Sequence, residues 1–284
     1  MSVTGSRFMN LVRLKGLPIL RQLHIEEELL RTSSVNWCIV NDGTNEPAIV
    51  MGVSGVPREL LEIGPVLRDG IHVIRRFTGG GTIVVDSGTV FVALICKKDA
   101  VAGLQPYPRP IMSWSGQGLV TSTFVKMACY LFKFEEVLAC SLSLTLYVAV
   151  SMQYSVWPLS DRLHLLHYYV FGNCKFGGNA QSITKNWWIH YTSFFWDYDV
   201  RNMAYLEHPK RVPKYRLARN HLEFTCRMKD YMPREVFIDK TVEALETKFS
   251  LRTIEFEALE LDAKFSPSTK LLLRHELETM AFAS

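Results

Sequence analysis

Apolar residues in the first hundred positions fall into short runs separated by turn-forming residues, a pattern typical of β-strands joined by tight loops. The runs predict strands over residues 37–40, 48–51, 73–76, 82–85 and 89–95. Residues 19–31 show helical periodicity instead and predict a helix, with Pro18 near its first turn. A short helix is expected at 59–63, ending at Gly64 and Pro65.

This order of elements predicts the α+β class, with a central mixed, largely antiparallel β-sheet and flanking helices. The strands lie too close together along the chain for every pair to be joined by a crossover helix. We expect the helices to pack on one face of the sheet. After residue 200 the pattern changes, and residues 231–249 and 267–280 are predicted to be amphipathic helices, each with a proline near its start.

The composition of the 284-residue chain is that of a globular protein, with 48% hydrophobic and 21% charged residues, which excludes a disordered chain. The formal net charge is +4, and no run of Lys and Arg exceeds two residues. Because nucleic-acid-binding proteins usually carry clustered basic residues, we do not expect that function. A weakly positive surface would suit an anionic substrate or an acidic partner.

The six cysteines form no Cys-x-x-Cys pair and complete no zinc-binding spacing with histidine, so no metal site is identified. We expect reduced thiols in an intracellular compartment. Before Glu26 the chain carries Arg7, Arg13, Lys15 and Arg21 and no acidic residue. This composition is compatible with a mitochondrial presequence or with a cytosolic N-terminus, so the expected compartment is mitochondrial or cytoplasmic.

Residues 138–157 contain no Asp, Glu, Lys, Arg or His, and the run is long enough to meet the ~20-residue requirement for a membrane span. Ser, Thr, Gln and Tyr dilute the run, however. A buried core element is therefore expected rather than a membrane-spanning helix.

A first candidate site is the loop Arg75-Arg76-Phe77-Thr78-Gly79-Gly80-Gly81-Thr82-Ile83-Val84-Val85-Asp86. Consecutive glycines let the backbone approach a ligand closely, and their N–H groups can bind an anion. Paired arginines beside them can hold a phosphate or a carboxylate. The alternative is a glycine-rich hairpin turn. The spacing matches neither a Walker A loop nor a dinucleotide-binding fingerprint.

A second candidate is Lys175, which stands among small residues in the segment 172–182. Such neighbours let a flat or phosphorylated ligand lie against the backbone, and a lysine there can act as a point charge on a phosphate or a carbonyl. The alternative is a solvated lysine in a hairpin. His190, in the β-type segment 187–196, is a secondary candidate for orienting a ligand, although such a histidine is more often simply part of the fold.

Together the two motifs resemble the lipoate–protein ligase A family, within the group of biotin and lipoate A/B protein ligases. The signature is an Arg-Arg-x-Ser/Thr-Gly-Gly-Gly loop that ends in Asp, followed by a Lys-x-x-Gly-x-Ala strand; here these stand at residues 75–86 and 172–181. The resemblance covers residues 10–117 and 169–230 and is close to plant-type members. It implies a catalytic domain over residues 10–230, with the fold of biotin and lipoyl ligases, followed by a short helical region over 231–284.

The resemblance also implies an activity. Members of the family use ATP and Mg²⁺ to activate lipoate or octanoate as an acyl-adenylate. They then transfer the acyl group to a lysine of a lipoyl acceptor domain, in E2 subunits of 2-oxo-acid dehydrogenases or in the glycine-cleavage carrier protein. A monomer is expected, without association with a membrane or with nucleic acid.

By position in the motifs, Lys175 is the implied catalytic residue, which bridges the acyl carbonyl and the α-phosphate. The implied binding residues for ATP or the acyl-adenylate are Arg75, Arg76, Gly79, Gly80, Gly81, Thr82, Ile83 and Val84, together with Lys175. The implied support or acyl-pocket residues are Asp86, Gly177, Gly178, Ala180 and His190.

The chain departs from the family over residues 118–168, a divergent insert in which Tyr168 replaces the carboxylate of the family's Asn-Asp pair. Two alternatives therefore stand beside the ligase. One is an octanoyl or lipoyl transferase that uses a carrier-bound donor and a cysteine nucleophile, for which Cys174 is the candidate. The other is a catalytically impaired, non-enzymatic isoform. A biotin ligase is less favoured, because its Gly-Arg-Gly-Arg type of loop is absent.

Overall fold

The computed structural model describes residues 8–116, 168–171, 174–207 and 219–282. Its strands are β1 (Phe8–Lys15), β2 (Asn36–Asp42), β3 (Ala48–Met51), β4 (His72–Arg75), β5 (Ile83–Val85), β6 (Thr89–Lys97), β7 (Tyr168–Phe171), β8 (Cys174–Ile183), β9 (Trp187–Phe195), β10 (Ser250–Thr253) and β11 (Lys270–Leu271). Its α-helices are α1 (Ile19–Thr32), α2 (Pro57–Leu60), α3 (Ile63–Asp69), α4 (Pro108–Ser115), α5 (His221–Phe224), α6 (Arg234–Glu246) and α7 (Arg274–Phe282). Short 3₁₀ turns lie at Val200–Tyr205, Met228–Asp230 and Phe256–Ala258.

The described strands form two sheets. The larger has the order β10-β1-β2-β6-β9-β8-β7, in which β1 pairs in parallel with β10 and β2 while the other neighbours are antiparallel. The smaller has the order β11-β4-β3-β5, with only its β3–β4 pair parallel. The prediction of an α+β fold with a mixed, largely antiparallel central sheet is therefore confirmed.

Both faces of the larger sheet are covered, so the expectation that helices pack on one face is wrong. Leu94 of β6 packs in a core with Ile111 of α4 and Phe237 of α6. Phe91 of the same strand faces the opposite core, which contains Leu23 of α1 and residues of the smaller sheet. Successive side chains of a strand point to opposite faces, so the uninterrupted apolar run in β6 is what a strand buried on both faces requires.

The smaller sheet lies between two cores. Val50 and Ile74 face α1 and the larger sheet, whereas Ile49 and Val73 pack with Leu277 of α7 on the outer side. The glycine loop, defined as residues 76–82, connects β4 of this sheet to β5. Since both flanking strands pair with β3, the ends of the loop are fixed in the sheet.

Two local expectations differ from the structure. Gly64 and Pro65 do not end a helix but lie in the first turn of α3, where a proline without an N–H is tolerated. The helix ends instead at Gly70, in the left-handed conformation with φ 65°. The segment after residue 230 is not only helical, because β10 and β11 each join a sheet. A boundary at residue 230, and with it the domain from 10 to 230, stays a prediction.

The uncharged run 138–157 and nearly all of the insert 118–168 lie outside the described residues. Within the described ranges, no helix is both long enough and apolar enough to cross a membrane. The expectation of a buried core element at 138–157 stays a prediction.

Candidate functional site

A cleft of about 220 Å³ opens between the glycine loop and β8, with β9 beneath it. The glycine loop and the start of β5 contribute Arg76, Gly80, Gly81, Thr82 and Ile83 to its walls. Strand β8 contributes Lys175, Gly178 and Ala180. Residues from both sequence motifs, about a hundred positions apart in the chain, therefore meet in one cavity.

A β-bulge in β8 turns Lys175 toward the cleft. Tyr169 pairs with Gly177 but Val170 pairs with Lys175, so Phe176 is an extra residue on β8. Regular alternation would place Lys175 on the face opposite Gly178. Because the bulge changes the alternation by one residue, both line the cleft, while the side chain of Phe176 is buried in the core on the other face.

The Lys175 side chain runs along the strand through the space that Gly178, which has no side chain, leaves open. A Cβ at position 178 would lie 3.1 Å from Lys175 Nζ and 3.3 Å from Cε. The ammonium group lies 5.4 Å from the centroid of the Phe195 ring, within the range of a cation–π contact. The absence of a side chain at Gly178 thus leaves room for the lysine, and the Phe195 ring contacts its amine over the cleft.

Arg76 braces the glycine loop from inside. The residue is 3% exposed, and its guanidinium donates to Thr78 Oγ1 (2.9 Å), to Val50 O (3.3 Å) and to the carbonyl oxygens of Gly79 and Gly81 (2.8 and 2.9 Å). An arginine bound in this way sets the shape of the loop, while its predicted contact with the ligand stays a prediction.

Thr82, which lines the cleft, carries a polar atom that makes no hydrogen bond with the described residues. Thr82 Oγ1 is buried and has no hydrogen-bond partner among the described residues. A buried hydroxyl without a partner is costly, and a ligand in the cleft would satisfy it. Gly80 adopts φ 109°, and a Cβ there would lie 2.7 Å from Arg76 Nη2, so this position of the loop requires glycine.

Replacing Arg76 with methionine should lower the free energy of unfolding by about 2–3 kcal/mol, because several buried acceptors lose their donor. Arg75→Met is the matched control, since Arg75 is half-buried and its buried Nε makes no hydrogen bond among the described residues. Urea denaturation measures both changes. Equal losses for the two variants would contradict the bracing role of Arg76.

Six of the predicted site residues do not line the cleft, namely Arg75, Gly79, Val84, Asp86, Gly177 and His190. Val84 is buried in the outer core of the smaller sheet. Gly177 lies against Tyr169 and Phe194 on the opposite face of the larger sheet. Alternation along the strands explains both positions, since their neighbours Ile83 and Gly178 are the ones that face the cleft.

Asp86 ties two segments together at the far end of β5. One of its carboxylate oxygens accepts from Gly88 N (2.9 Å), and the other accepts from Asp199 N (3.0 Å) and Asn202 Nδ2 (2.9 Å). These bonds fix the 3₁₀ turn Val200–Tyr205 to the β5–β6 connection. Asp86 borders a separate surface groove at that end of the strand.

His190 belongs to a buried polar chain on the opposite face of the larger sheet. Gln181 Nε2 donates to Pro108 O and to His190 Nδ1 (2.8 Å), which leaves the ring proton on Nε2, where it is donated to Ser115 Oγ (3.0 Å). Ser115 also bonds the hydroxyl of Tyr169 (2.9 Å). Burial lowers the pKa of His190 to about 3. The ring is therefore a neutral part of the fold and does not reach the cleft.

Three cleft residues were not predicted, namely Asn179, Tyr191 and Ser193. Tyr191 and Ser193 lie opposite Ala180 and Gly178 in the β8–β9 register, so they face the same side of the sheet. If the register of β8 with β9 had been known, the residues opposite Gly178 and Ala180 could have been assigned to the cleft. The sequence offered no register, because β9 is buried on both faces and shows no polar alternation.

The described cysteines place no thiol in the wall of the cleft. Cys38 and Cys96 are buried, and burial raises the pKa of Cys38 to about 12. Cys174 and Cys226 are half-buried beside Lys175, where the Cys226 thiol donates to Cys174 O at 3.4 Å. Cys129 and Cys140 lie outside the described residues.

In the described ranges no group of three or more His, Cys, Asp or Glu residues is arranged to hold a metal ion. No carboxylate lines the cleft there either. Magnesium prefers carboxylate and phosphate oxygens, so these residues do not by themselves fit a Mg²⁺ ion.

The chain is similar in sequence and in fold to known ligases. Residues 18–250 match the family model described as the lipoyl protein ligase A/B catalytic domain. A protein of Plasmodium falciparum (isolate 3D7) named inactive lipoate–protein ligase 2 is 26% identical over 237 residues. The match covers 80% of this chain, and the chain spans 60% of the length of that relative.

Two solved structures are similar in fold. One is lipoate-protein ligase A bound with ATP, with TM-score 0.56 and 15% identity, covering 90% of this chain and 91% of the other. The second is a bi-partite lipoate protein ligase of Thermoplasma acidophilum, described with its E2 lipoyl domain, with TM-score 0.57 and 15% identity over 90% of this chain and 89% of that one.

Proposed function

Because the chain belongs to the lipoyl protein ligase A/B catalytic domain family, we propose that it ligates lipoate or octanoate to a lysine of a lipoyl acceptor domain in an ATP-dependent reaction. The observation that carries the proposal is the position of Lys175, whose amine lies over Phe195 in a cleft shared with the glycine loop. The ligase of the same fold that was solved with ATP supports ATP as the nucleotide. Its description as a lipoate-protein ligase supports lipoate as the acid.

In the proposed first step, a carboxylate oxygen of the acid attacks the α-phosphorus of ATP. A P–O bond forms, and pyrophosphate leaves with the electrons of the bond that breaks. The Lys175 ammonium and the backbone N–H groups of Gly80 and Gly81 would stabilise the negative charge that develops on the phosphate. The hydroxyl of Thr82 would gain the partner that it lacks.

In the second step, the acceptor lysine amine attacks the acyl carbon. The N–C bond forms, the bond from carbon to the phosphate oxygen breaks, AMP leaves, and the amine loses a proton. Lys175 would stabilise the oxyanion of this step as well. No covalent intermediate on the enzyme is needed, which agrees with a cleft wall in which the described residues include no cysteine.

The proposed partners are lipoyl acceptor domains, in E2 subunits of 2-oxo-acid dehydrogenases or the glycine-cleavage carrier protein. The Thermoplasma ligase, described with its E2 lipoyl domain, supports this choice. Magnesium would accompany ATP through its phosphate oxygens. A mitochondrial or cytoplasmic location and a monomeric state are proposed on the sequence alone.

The test is acylation of a purified lipoyl acceptor domain, followed by intact mass. Complete reactions contain ATP, Mg²⁺ and free lipoate or free octanoate, and control reactions omit ATP or the acid. A mass gain of one acyl group that requires both ATP and the free acid is expected. No gain with either acid would rule out the ligase.

A catalytically impaired variant is the second candidate, and the relative named inactive lipoate–protein ligase 2 favours it, together with Tyr168 at the position of the family's carboxylate. If neither free acid nor carrier-bound octanoate acylates the acceptor, the protein is the catalytically impaired variant and not a ligase.

Cys174→Ala separates the ligase from the transferase. A ligase should keep its acylation rate within about twofold, because the Cys174 thiol lies outside the cleft and points to Glu223 O (3.9 Å). A transferase that uses this thiol should lose all measurable turnover with carrier-bound octanoate. Cys226→Ala is the matched control, since it removes the neighbouring half-buried thiol.

A further inference from the structure

The chain returns to the glycine loop after residue 267. Strand β11 pairs antiparallel with β4, with Lys270 opposite Arg75 and Leu271 opposite Ile74. The next residue continues the pairing, since Leu272 N donates to Val73 O at 2.8 Å. Residues 268–271, which we name the strap, therefore lie along the strand that leads directly into the loop.

Thr269 is the contact point between the strap and the loop. It is 2% exposed, and its Oγ1 accepts from Phe77 N at 3.0 Å. Its backbone oxygen bonds His24 Nε2 at 3.1 Å, and its N–H donates to Glu27 Oε2 at 3.0 Å. One residue thus joins the glycine loop to two positions on helix α1.

Glu27 fastens the strap to α1. Its carboxylate is buried and accepts from the N–H groups of Ser268 and Thr269 and from the Ser268 hydroxyl, while Arg31 forms an ion pair with it at 2.8 Å. Burial raises the pKa of Glu27, but these hydrogen bonds lower it more, and the result is a pKa below the usual value. The carboxylate is therefore ionised at neutral pH and holds the strap through charge-assisted bonds.

The two sides of the loop are held by different residues. Arg76, which lines the cleft, donates to the carbonyl oxygens of Gly79 and Gly81. Thr269, which belongs to the strap, accepts from the N–H of Phe77. A loop with three consecutive glycines has great conformational freedom, and fixing it before a ligand arrives reduces the entropy lost on binding.

We infer that the strap is part of the ligand-binding machinery and that Thr269 is a positioning residue, which holds the backbone of the glycine loop in the shape that binds the adenylate. The strap lies beyond residues 18–250, the segment that matches the family model, so the family match does not assign it this role. The effect on catalysis rests on the proposed ligase activity, whereas the effect on the loop does not.

The experiment compares Thr269→Val, which keeps the shape but removes the acceptor, with Thr269→Ser, which keeps the hydroxyl. Thr279→Val is the matched control, because Thr279 is exposed on α7 and its hydroxyl donates to His275 O in its own helix. Hydrogen–deuterium exchange followed by mass spectrometry reports on peptides that cover residues 74–83. Steady-state acylation gives kcat and the KM values for ATP and the acid.

In Thr269→Val the Phe77 amide should exchange roughly tenfold faster, as for one lost hydrogen bond. The KM values should rise by a similar factor while kcat changes less, and Thr269→Ser should restore both. Unchanged exchange at 74–83 in Thr269→Val would overturn the inference, as would a fall in kcat with unchanged KM. If the wild type shows no acylation, the exchange result still decides whether Thr269 holds the loop.

Discussion

Lys175→Ala is expected to lower the rate of ATP-dependent acylation by about 10²–10³-fold, as for loss of one group that stabilises a transition-state anion. The amine is held over the Phe195 ring and across Gly178, so it is positioned before a ligand binds. Arg76 also lines the cleft, but its guanidinium is bonded to the loop and cannot move to take over the charge.

Initial rates from intact mass, at saturating ATP and acid, measure the effect. Lys185→Ala is the matched control, because Lys185 is exposed in the turn between β8 and β9, on the same hairpin. The thermal midpoint of both variants should stay within a few degrees of the wild type, since neither change removes a buried apolar group. Equal rates for Lys175→Ala and the wild type would show that the lysine has no part in the reaction.

Each motif carried its own local signal, but the family resemblance alone implied that the glycine loop and Lys175 form one site. Glycines at 79–81 mark a loop that must approach something closely, and a lysine among small residues is unusual for a surface strand. What the sequence did not contain was the β-bulge at Phe176. Without it, simple alternation would have placed Lys175 on the wrong face of the sheet.

His190 was only a secondary candidate, and the sequence could not show which face of the sheet it occupies. All but the first residue of β9 are buried, so no polar alternation shows which residues face the cleft. The burial pattern therefore does not assign the histidine to a face, and here it joins Gln181 and Ser115 in the opposite core. Only pairing with β8, a contact between strands, decides the face.

The strap was missed because its signal is long-range. Strand β11 is two residues long and has no pattern of its own. The segment 267–280 was predicted as a helix from Pro267 onward, but α7 begins only at Arg274. The residues before it are fixed by Glu27 and Phe77, which lie far away in the sequence. Local propensity cannot report such tertiary contacts.

Glu26→Gln is expected to remove a large part of the pH dependence of stability. Glu26 lies on α1 and is fully buried; Gln22 Nε2 donates to its Oε1 at 2.7 Å, while its Oε2 has no partner among the described residues. Burial, only partly opposed by the Gln22 bond, raises the pKa of Glu26 from 4.5 to about 8. The folded protein therefore keeps this proton in a range where the unfolded chain has lost it.

The sign of the effect follows from proton binding. Between pH 4.5 and about 8 the folded state binds one proton more than the unfolded state at this residue, so stability falls as the pH rises. At 1.36 kcal/mol per pKa unit, the wild type should lose about 3 kcal/mol more than Glu26→Gln between about pH 5.5 and 8.5. Urea denaturation at these two values measures the difference.

His190 contributes with the opposite sign and must be separated from Glu26. Its pKa is lowered from 6.5 to about 3, so the unfolded chain binds the proton first and stability falls as the pH drops below 6.5. Both proteins carry His190, so its contribution cancels when their pH profiles are subtracted. Parallel profiles for the two proteins would mean that Glu26 is ionised in the folded state, with a counter-charge that offsets its burial.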